Sequence, residues 1–222
     1  MRLLITRPQF DAMPLAARLR ELGHEAHLFP VIEIIDRPEA AADLAAHAPP
    51  AALAFTSANG ARAFARLVAR PDVYIRLRVF AVGRQTAEAL AEAGWARDMI
   101  HVAGGSAASL AEQIAAAEIA GTLLHICGAH HRPLEGAQPV VFYTAQAVQS
   151  VPPEIAAALA AGEIDGILFY SPRSVRIFAD LCDARNMPAF CLSPAIAAEA
   201  EAQGFQARAA ASPDDDALCA MI

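Results

Sequence analysis

The chain has 222 residues, a formal net charge of −7 and 56% hydrophobic residues. The negative charge, with no basic stripe to offset it, argues against nucleic-acid binding. No apolar run reaches the roughly 20 residues that a membrane span needs. All 17 basic residues are arginines, which excludes a lysine Schiff base and a Walker-type phosphate loop. The four cysteines form no Cys-x-x-Cys pair, so reduced, buried thiols and a cytoplasmic location are expected.

Short apolar runs alternate with helical patterns along the whole chain. Strands are predicted near 3–6, 25–29, 31–35, 51–55, 79–82, 99–102, 122–126, 139–144, 166–169, 189–192 and 206–210. A first helix is predicted from Leu15, Leu19 and Leu22, which recur at helical spacing, and it ends at Gly23. Further helices are predicted near 39–46, 59–68, 84–93, 106–116, 153–160, 172–181 and 194–203, with a last helix from Pro213. Strands that alternate with helices of about ten residues are typical of parallel sheets covered on both faces.

One sequence pattern occurs twice. F-x-S-x-x-x-x-R-x-F begins at Phe55 and again at Phe169, 114 residues later. A second pair of matching segments begins at Phe80 and at Phe190, with an offset of 110. We infer that one α/β unit of roughly 100 residues occurs twice, since the offset is far longer than the period of a solenoid. Two such units facing each other would enclose a cleft for a small molecule.

The predicted fold class is therefore α/β, with two similar flavodoxin-like lobes of parallel sheet, a two-stranded connection and a cleft between them. Residues 1–30 and 147–222 form one discontinuous domain in this interpretation, because neither piece alone supplies a full set of strands. Residues 38–138 form a second domain inserted into the first. The segments 31–37 and 139–146 are the strands that connect the two domains.

Small polar turns follow several predicted strands, where ligands bind in open parallel sheets. A Ser or Thr in such a turn is usually only an N-cap, but six turns on one edge of two sheets would offer many backbone N–H groups to an anion. Each contact with a helix dipole stabilises an anion by only about 0.3–1 kcal/mol, which favours a ligand with many anionic groups. The turns begin at Thr6, Thr56, Gly83, Gly104, Ser171 and Ser193.

Signals for a nucleophile or a metal are weak, since G-x-S-x-G, H-E-x-x-H and G-x-G-x-x-G after a strand are all absent. His130 and His131 are adjacent and have no carboxylate or thiol at ligand spacing, so we interpret them as loop surface. The acidic run 214–216 is interpreted as helix capping. Tyr143 lies on a predicted connecting strand; its position alone favours packing, and a hydroxyl that points into the cleft is the open alternative.

Taken in order, these motifs resemble the uroporphyrinogen-III synthase family over essentially the whole chain. The matching segments are 5–8, 55–60, 81–87, 105–106, the strand of Tyr143, 168–172 and 193–197. The resemblance implies two α/β lobes joined by a two-stranded ladder. It also implies a cofactor-free, metal-free hydro-lyase of haem biosynthesis, which cyclises hydroxymethylbilane to uroporphyrinogen III with loss of water and inversion of the last ring. We expect a cytoplasmic monomer that binds no membrane.

The resemblance further implies roles for single residues. Tyr143 matches the family's tyrosine that is thought to help the substrate hydroxyl leave. The residues implied to bind the linear, polycarboxylate tetrapyrrole are Arg7, Thr56, Ser57, Asn59, Gly83, Thr86, Ser171 and Ser193.

The chain departs from the family pattern in one region. The family usually has a strand ending in Arg-Gly and then a full helix before the tyrosine strand. Here Cys127 stands before Gly128, and only about ten residues separate Gly128 from Pro139. A helix hardly fits, so we expect a trimmed edge of the inserted domain and a doubtful substrate contact there.

Two other functions remain open at this level. A non-catalytic binding or sensor protein could hold an anionic metabolite in the same cleft. A duplicated flavodoxin-like or receiver-type regulator would need an acidic cluster at the strand ends, whereas the turns here are polar and neutral.

Overall fold

The computed structural model describes all 222 residues, and the chain divides into two compact units. Unit 1 comprises Met1–Glu33 and Gln146–Ile222, and unit 2 comprises Ile34–Ala145. Unit 1 is therefore assembled from two separate segments of the chain, whereas unit 2 is continuous.

The elements alternate as the sequence predicts. The strands are β1 (Arg2–Ile5), β2 (Glu25–Leu28), β3 (Ile32–Asp36), β4 (Ala52–Phe55), β5 (Arg78–Ala81), β6 (Ile100–Val102), β7 (Leu123–Gly128), β8 (Ala137–Ala147), β9 (Gly166–Phe169), β10 (Pro188–Cys191) and β11 (Gln206–Ala209). The helices are α1 (Gln9–Glu21), α2 (Ala40–Ala46), α3 (Ala58–Leu67), α4 (Arg84–Glu92), α5 (Ala107–Ala116), α6 (Pro153–Ala160), α7 (Pro172–Leu181), α8 (Pro194–Ala202) and α9 (Asp215–Cys219). None of the helices combines the length and apolarity that crossing a bilayer requires.

Two short 3₁₀ turns, Pro71–Val73 and Arg97–Met99, are the elements that the sequence pattern did not predict. The last helix begins two residues later than expected. Asp214 is its N-cap, and its carboxylate accepts a hydrogen bond from the Ala217 N–H at 2.8 Å. The predicted capping role of the acidic run is thus confirmed at Asp214.

Each unit contains its own sheet of mostly parallel strands, which confirms the predicted α/β class with two like sheets. The strand order is β11-β10-β9-β1-β2 in unit 1 and β3-β8-β7-β4-β5-β6 in unit 2. All pairings from β11 to β2 and from β8 to β6 are parallel. Both orders reverse direction once from a central strand, as doubly wound α/β sheets do.

The sequence repeat explains the likeness of the two sheets. β4, α3, β5 and α4 of unit 2 correspond to β9, α7, β10 and α8 of unit 1. Continuing outward, β6 corresponds to β11, β7 to β1 and β8 to β2. Apart from β3, which has no counterpart in unit 1, the two spatial orders are the same, but β1 and β2 precede the repeat whereas β7 and β8 follow it. Unit 1 is therefore a circular permutation of the pattern in unit 2.

The two phenylalanines of the repeated motif are core residues that contact each other. Phe55 and Phe64 meet edge to face with ring centroids 5.9 Å apart, and Phe169 meets Phe178 in the same way at 5.6 Å. All four rings are fully buried. The first phenylalanine ends a strand and the second lies on the following helix, so the pair fixes helix to sheet and adds about 0.5–1.5 kcal/mol beyond its burial.

The units differ in the connection between the corresponding strand pairs β1–β2 and β7–β8. In unit 1 the 13-residue helix α1 makes this connection, whereas in unit 2 residues 129–136 do so without a helix. The expected absence of a helix after Gly128 is confirmed. Leu134, which is buried, belongs to the same hydrophobic cluster as Phe80 of β5 and Leu110 of α5.

Candidate functional site

The carboxyl edge of the sheet in unit 2 carries a pocket. The order of strands reverses between β4 and β7, and in such sheets the crevice at this point is where ligands bind. The pocket has a volume of about 280 Å³. It is lined by Thr56, Ser57, Val82, Ala107, Gly128, His130, His131, Arg132, Pro133, Leu134 and Tyr143. Three of the residues predicted from the sequence, Thr56, Ser57 and Tyr143, thus come together.

Tyr143 lies near the end of β8 and is 9% exposed. Its ring covers Gly128, where an added β-carbon would lie 2.7 Å from the ring Cζ, so only glycine fits beneath it. Burial raises the pKa of the Tyr143 phenol, Cys127 adds to that effect, and a hydrogen bond with the Ser57 side chain opposes it. The phenol therefore stays protonated at neutral pH and can donate a hydrogen bond into the pocket.

Ser57 is the N-cap of α3, and its hydroxyl accepts a hydrogen bond from the Asn59 N–H at 3.1 Å. Asn59 also faces Arg62, whose Nη1 donates to the Asn59 side-chain oxygen at 3.5 Å. The first turn of α3 presents the positive end of a helix dipole to this edge of the sheet. Its chemistry suits an anionic group.

Thr56 is held by a residue that the sequence argument missed. Its hydroxyl hydrogen-bonds to Nε2 of His125 at 2.8 Å. His125 is buried inside β7, and burial, followed by the neighbouring His131, lowers its pKa to about 4. The sequence did contain a signal, because His125 lies between Leu124 and Ile126 in an apolar strand. A buried imidazole in such a strand needs a polar partner.

His131 is a second residue that the sequence argument missed, because it lies on the predicted loop but lines the pocket. It is half-buried, and its Nδ1 donates to the Gly128 carbonyl at 3.0 Å. Its ring meets that of His125 nearly at right angles with centroids 5.6 Å apart. The neighbouring His130 is exposed, as expected. No sequence signal distinguished the two histidines, because the conformation of the connection decides which one faces inward.

Gly83 and Thr86 begin α4 but do not line this pocket. Gly83 is the N-cap of the helix, and a β-carbon there would lie 3.3 Å from the Gly105 Cα, a contact tight enough to favour glycine. Thr86 is 3% exposed. Its side chain lies in the interior of unit 2, so a substrate could contact this turn only through residues other than Thr86.

The corresponding edge of unit 1 holds an ion pair. Arg7 follows β1 and is 8% exposed. Its Nη1 donates to both carboxylate oxygens of Asp215 at 3.1 Å, and its guanidinium lies 4.3 Å from the centroid of the Tyr170 ring. Strand register places Cys127 of unit 2 at the position that corresponds to Arg7. The cation of unit 1 thus has a buried thiol as its counterpart in unit 2.

Ser171 and Ser193 are N-caps of α7 and α8, each followed by a proline at the first helical position. Ser171 forms a capping box with Ser174, accepting from the Ser174 N–H at 3.0 Å. Ser193 makes no side-chain capping bond. Its hydroxyl is therefore the less committed of the two.

A larger hollow, of about 470 Å³, lies at the opposite edge of the sheet of unit 1. It is lined by residues that follow α7 and α8, among them Asp183, Arg185 and Gly204. None of the predicted site residues is there. Volume alone is a poor guide here, because ligands of parallel sheets bind at the carboxyl ends of the strands.

The family model HEM4, uroporphyrinogen-III synthase HemD, matches residues 13–220. The chain belongs to the uroporphyrinogen-III synthase family. This confirms the resemblance found in the sequence and the function predicted from it, uroporphyrinogen-III synthase in tetrapyrrole biosynthesis. Nothing in the comparisons supports the binding or sensor alternative.

Solved structures of uroporphyrinogen-III synthases share the fold. The uroporphyrinogen-III synthetase of Helicobacter pylori is 15% identical with a TM-score of 0.67, covering 100% of this chain and 98% of its own. A mutant uroporphyrinogen III synthase of the extremely thermophilic bacterium Thermus thermophilus is 18% identical with a TM-score of 0.57, covering 100% of this chain and 95% of its own. No curated protein matches the sequence significantly.

Proposed function

We propose that the pocket of unit 2 is where uroporphyrinogen-III synthase chemistry takes place, with Tyr143 as the residue that assists departure of the substrate hydroxyl. The observation that carries this proposal is the environment of the phenol. It is mostly buried, hydrogen-bonded to Ser57 and held protonated by burial. A protonated phenol at the carboxyl edge of a parallel sheet is a hydrogen-bond donor placed where ligands bind.

The reaction asks mainly for control of geometry. Hydroxymethylbilane must lose its terminal hydroxyl, and the resulting carbon must be attacked by the substituted position of the last ring rather than by its open position. Holding both reacting carbons in one conformation supplies much of the rate enhancement. A hydrogen bond from Tyr143 stabilises the leaving oxygen as its bond to carbon lengthens.

We propose that the polar turns bind the carboxylates of the substrate. In unit 2 these turns contain Thr56, Ser57, Asn59, Gly83 and Thr86. Helix N-termini and hydroxyls favour an anion through many weak contacts, each of about 0.3–1 kcal/mol. This suits a ligand whose charge is spread over many groups.

In unit 1 the proposed contacts are Arg7, Ser171 and Ser193. The charge of Arg7 is already paired with Asp215, so its contribution to binding should be the smallest of the set. Ser193, whose hydroxyl makes no capping bond, should contribute more than Ser171, which is engaged with Ser174.

We further propose that the enzyme is a hydro-lyase acting as a cytoplasmic monomer. Reduced thiols support the location, since all four cysteines are buried and free. Sedimentation at micromolar concentration should give a single species near 23.4 kDa; a stable dimer would contradict the proposed monomer.

The activity itself is tested by incubating the purified chain with hydroxymethylbilane. The product is oxidised to uroporphyrin, and the I and III isomers are separated by chromatography. We expect the III isomer to predominate, because spontaneous closure gives the I isomer. Formation of the I isomer alone, at the rate seen without protein, would overturn the proposal.

A further inference from the structure

The connection between β7 and β8 brings a titratable ring into the pocket. Residues 129–136 take the place that α1 has in unit 1, and they are anchored by the buried side chain of Leu134. His131, from the middle of this connection, lines the pocket together with Tyr143. The helix-free conformation of this connection is what places the His131 side chain at the pocket.

One nitrogen of His131 is committed and the other is not. Nδ1 lies 3.0 Å from the Gly128 carbonyl oxygen, which can only accept, so Nδ1 carries a hydrogen. Nε2 is then the nitrogen that gains and loses a proton. This arrangement, with one ring nitrogen bonded to a carbonyl, fixes the tautomer of a proton-transfer histidine.

The other histidine near the pocket, His125, is held neutral by its surroundings. His125 is 1% exposed and stays neutral at physiological pH, since burial and the charge of His131 lower its pKa to about 4. The remaining titratable or charged groups nearby are Cys127, Tyr143, His130 and Arg132. The pocket residues that follow β4 and β5, and Ala107 of α5, are neutral.

The phenol of Tyr143 is a weaker acid than an ordinary tyrosine. Burial raises the pKa of its phenol above the usual value near 10, so it gives up its proton reluctantly. An efficient general acid titrates near the working pH, as an imidazole does. The pocket holds the imidazole of His131 beside the phenol of Tyr143.

We propose that His131 is the general acid of the reaction and then its base, a role that rests on the proposed function of this pocket. Nε2–H protonates the hydroxyl of hydroxymethylbilane as the carbon–oxygen bond breaks, and water leaves. The electron pair of the adjacent pyrrole stabilises the carbon cation, and the last ring attacks it. After the spiro intermediate rearranges, the ring regains aromaticity by losing one proton, which Nε2 takes back.

This sequence balances without any other reactant. One proton leaves Nε2 and one returns to it, and the net change is the loss of one water from the substrate. Tyr143 donates a hydrogen bond to the leaving oxygen throughout and keeps its own proton. The two residues therefore act differently and can be separated by pH dependence.

The test compares His131→Asn with the wild-type enzyme and with His47→Asn. The asparagine amide can replace Nδ1 as donor to the Gly128 carbonyl, so the connection stays seated while the titrating nitrogen is lost. His47 belongs to the same unit, outside the pocket, and bonds Gln138. Rates of uroporphyrinogen III formation are measured from pH 5 to 9, with thermal melting as a check on folding.

We expect His131→Asn to lower kcat about 100-fold with little change in KM. It should also lose the limb of the kcat–pH profile between about pH 5 and 8, where imidazoles titrate. His47→Asn should keep both kcat and the limb. Wild-type kcat and an unchanged profile in His131→Asn would overturn the proposal, while III-isomer formation by the wild type would still support the proposed function.

Chemical rescue separates catalysis from a structural role. His131→Ala leaves room at the pocket wall, and free imidazole added to this variant should restore part of kcat in proportion to its concentration. Imidazole should not affect His131→Asn, because the amide still fills the space. Absence of rescue in a folded His131→Ala protein would count against proton transfer by this ring. If His131→Ala does not fold, the pH profile of His131→Asn decides.

Discussion

The hydroxyl of Thr56 and Nε2 of His125 lie 2.8 Å apart at the carboxyl edge of unit 2. This pair joins a predicted substrate residue to a buried histidine that no sequence motif indicated. The pKa of His125 falls from 6.5 to about 4, chiefly through burial. The folded protein therefore favours the neutral imidazole of His125, and its stability should depend on pH.

The free energy of unfolding should decrease as the pH is lowered from about 6.5 to about 4. In this range the unfolded chain binds a proton at His125 whereas the folded chain does not, so unfolding is favoured as pH drops. The loss over the whole window is about 3 kcal/mol, taking about 1.4 kcal/mol per unit. Urea unfolding of wild type and of His125→Gln at pH 7.5 and 4.5 measures it.

His125→Gln places an amide next to Thr56, and this amide does not titrate. The free energy of unfolding of the variant should therefore depend less on pH than that of the wild type. His47→Gln serves as a control in which a half-exposed imidazole is removed. Equal pH dependence in all three proteins would show that His125 is not held neutral by the fold.

Tyr143→Phe should lower kcat for uroporphyrinogen III formation about 100-fold while leaving the melting temperature nearly unchanged. The ring and its packing over Gly128 stay in place, and only the donor hydroxyl and its bond with Ser57 are lost. The kcat–pH limb assigned to His131 should persist in this variant. Tyr74→Phe, at an edge-to-face contact with Phe64, is the matched control. An unchanged rate in Tyr143→Phe would remove the phenol from the mechanism.

Gly128→Ala should damage both stability and activity. The new methyl group would lie within 3 Å of three atoms of Tyr143, so the ring must shift. Overpacking of this kind costs about 1–3 kcal/mol. Gly104→Ala is the control, since its methyl group would meet only Ser109 at 3.4 Å or more.

A double-mutant cycle identifies the cause. Combined with Tyr143→Leu, which removes the ring, Gly128→Ala should cost much less than it does alone. Additive losses in the free energy of unfolding would mean that Gly128 is needed for its backbone rather than for the space it leaves.

Asp215→Asn should destabilise the protein by about 2 kcal/mol, whereas Asp216→Asn should have a much smaller effect on the free energy of unfolding. Asp215 pairs with Arg7, which is almost fully buried and would be left without its carboxylate. Asp216 pairs with Arg18 at the surface, and its side chain is 81% exposed. Chemical unfolding at low salt measures both. Equal effects would mean that the buried guanidinium finds another partner, such as the Tyr170 ring.

Element types and the repeat were predictable because both follow local rules. The apolar period identifies strands and helices, and the motif from Phe55 to Phe64 is a strand end, an N-cap and a helix residue that packs back on the strand. These requirements recur wherever the same supersecondary unit forms. The shortened connection after Gly128 was predictable from its length alone.

The chemical surroundings of the site were not predictable in the same way. Arg7 and Asp215 are 208 residues apart in the chain, and no periodicity relates them. His131 faces the pocket because a helix-free connection folds inward around Leu134, which is a tertiary outcome. Tyr143 could be placed on its strand, but its bond with Ser57 depends on how β8 and α3 pack. Local pattern fixes neither long-range pairing nor loop conformation.

The permuted order of unit 1 has a consequence for how the chain folds. β1, an inner strand of that sheet, lies between β2 and β9, and Leu3 pairs with Gly166. Unit 2 is continuous, so all its strands leave the ribosome before the second half of unit 1 is made. β1 must therefore wait, with one edge unpaired, while another whole unit is synthesised. Unit 2 should become protected first in pulse-labelled hydrogen exchange, and closure of the first sheet should be the slow, late step.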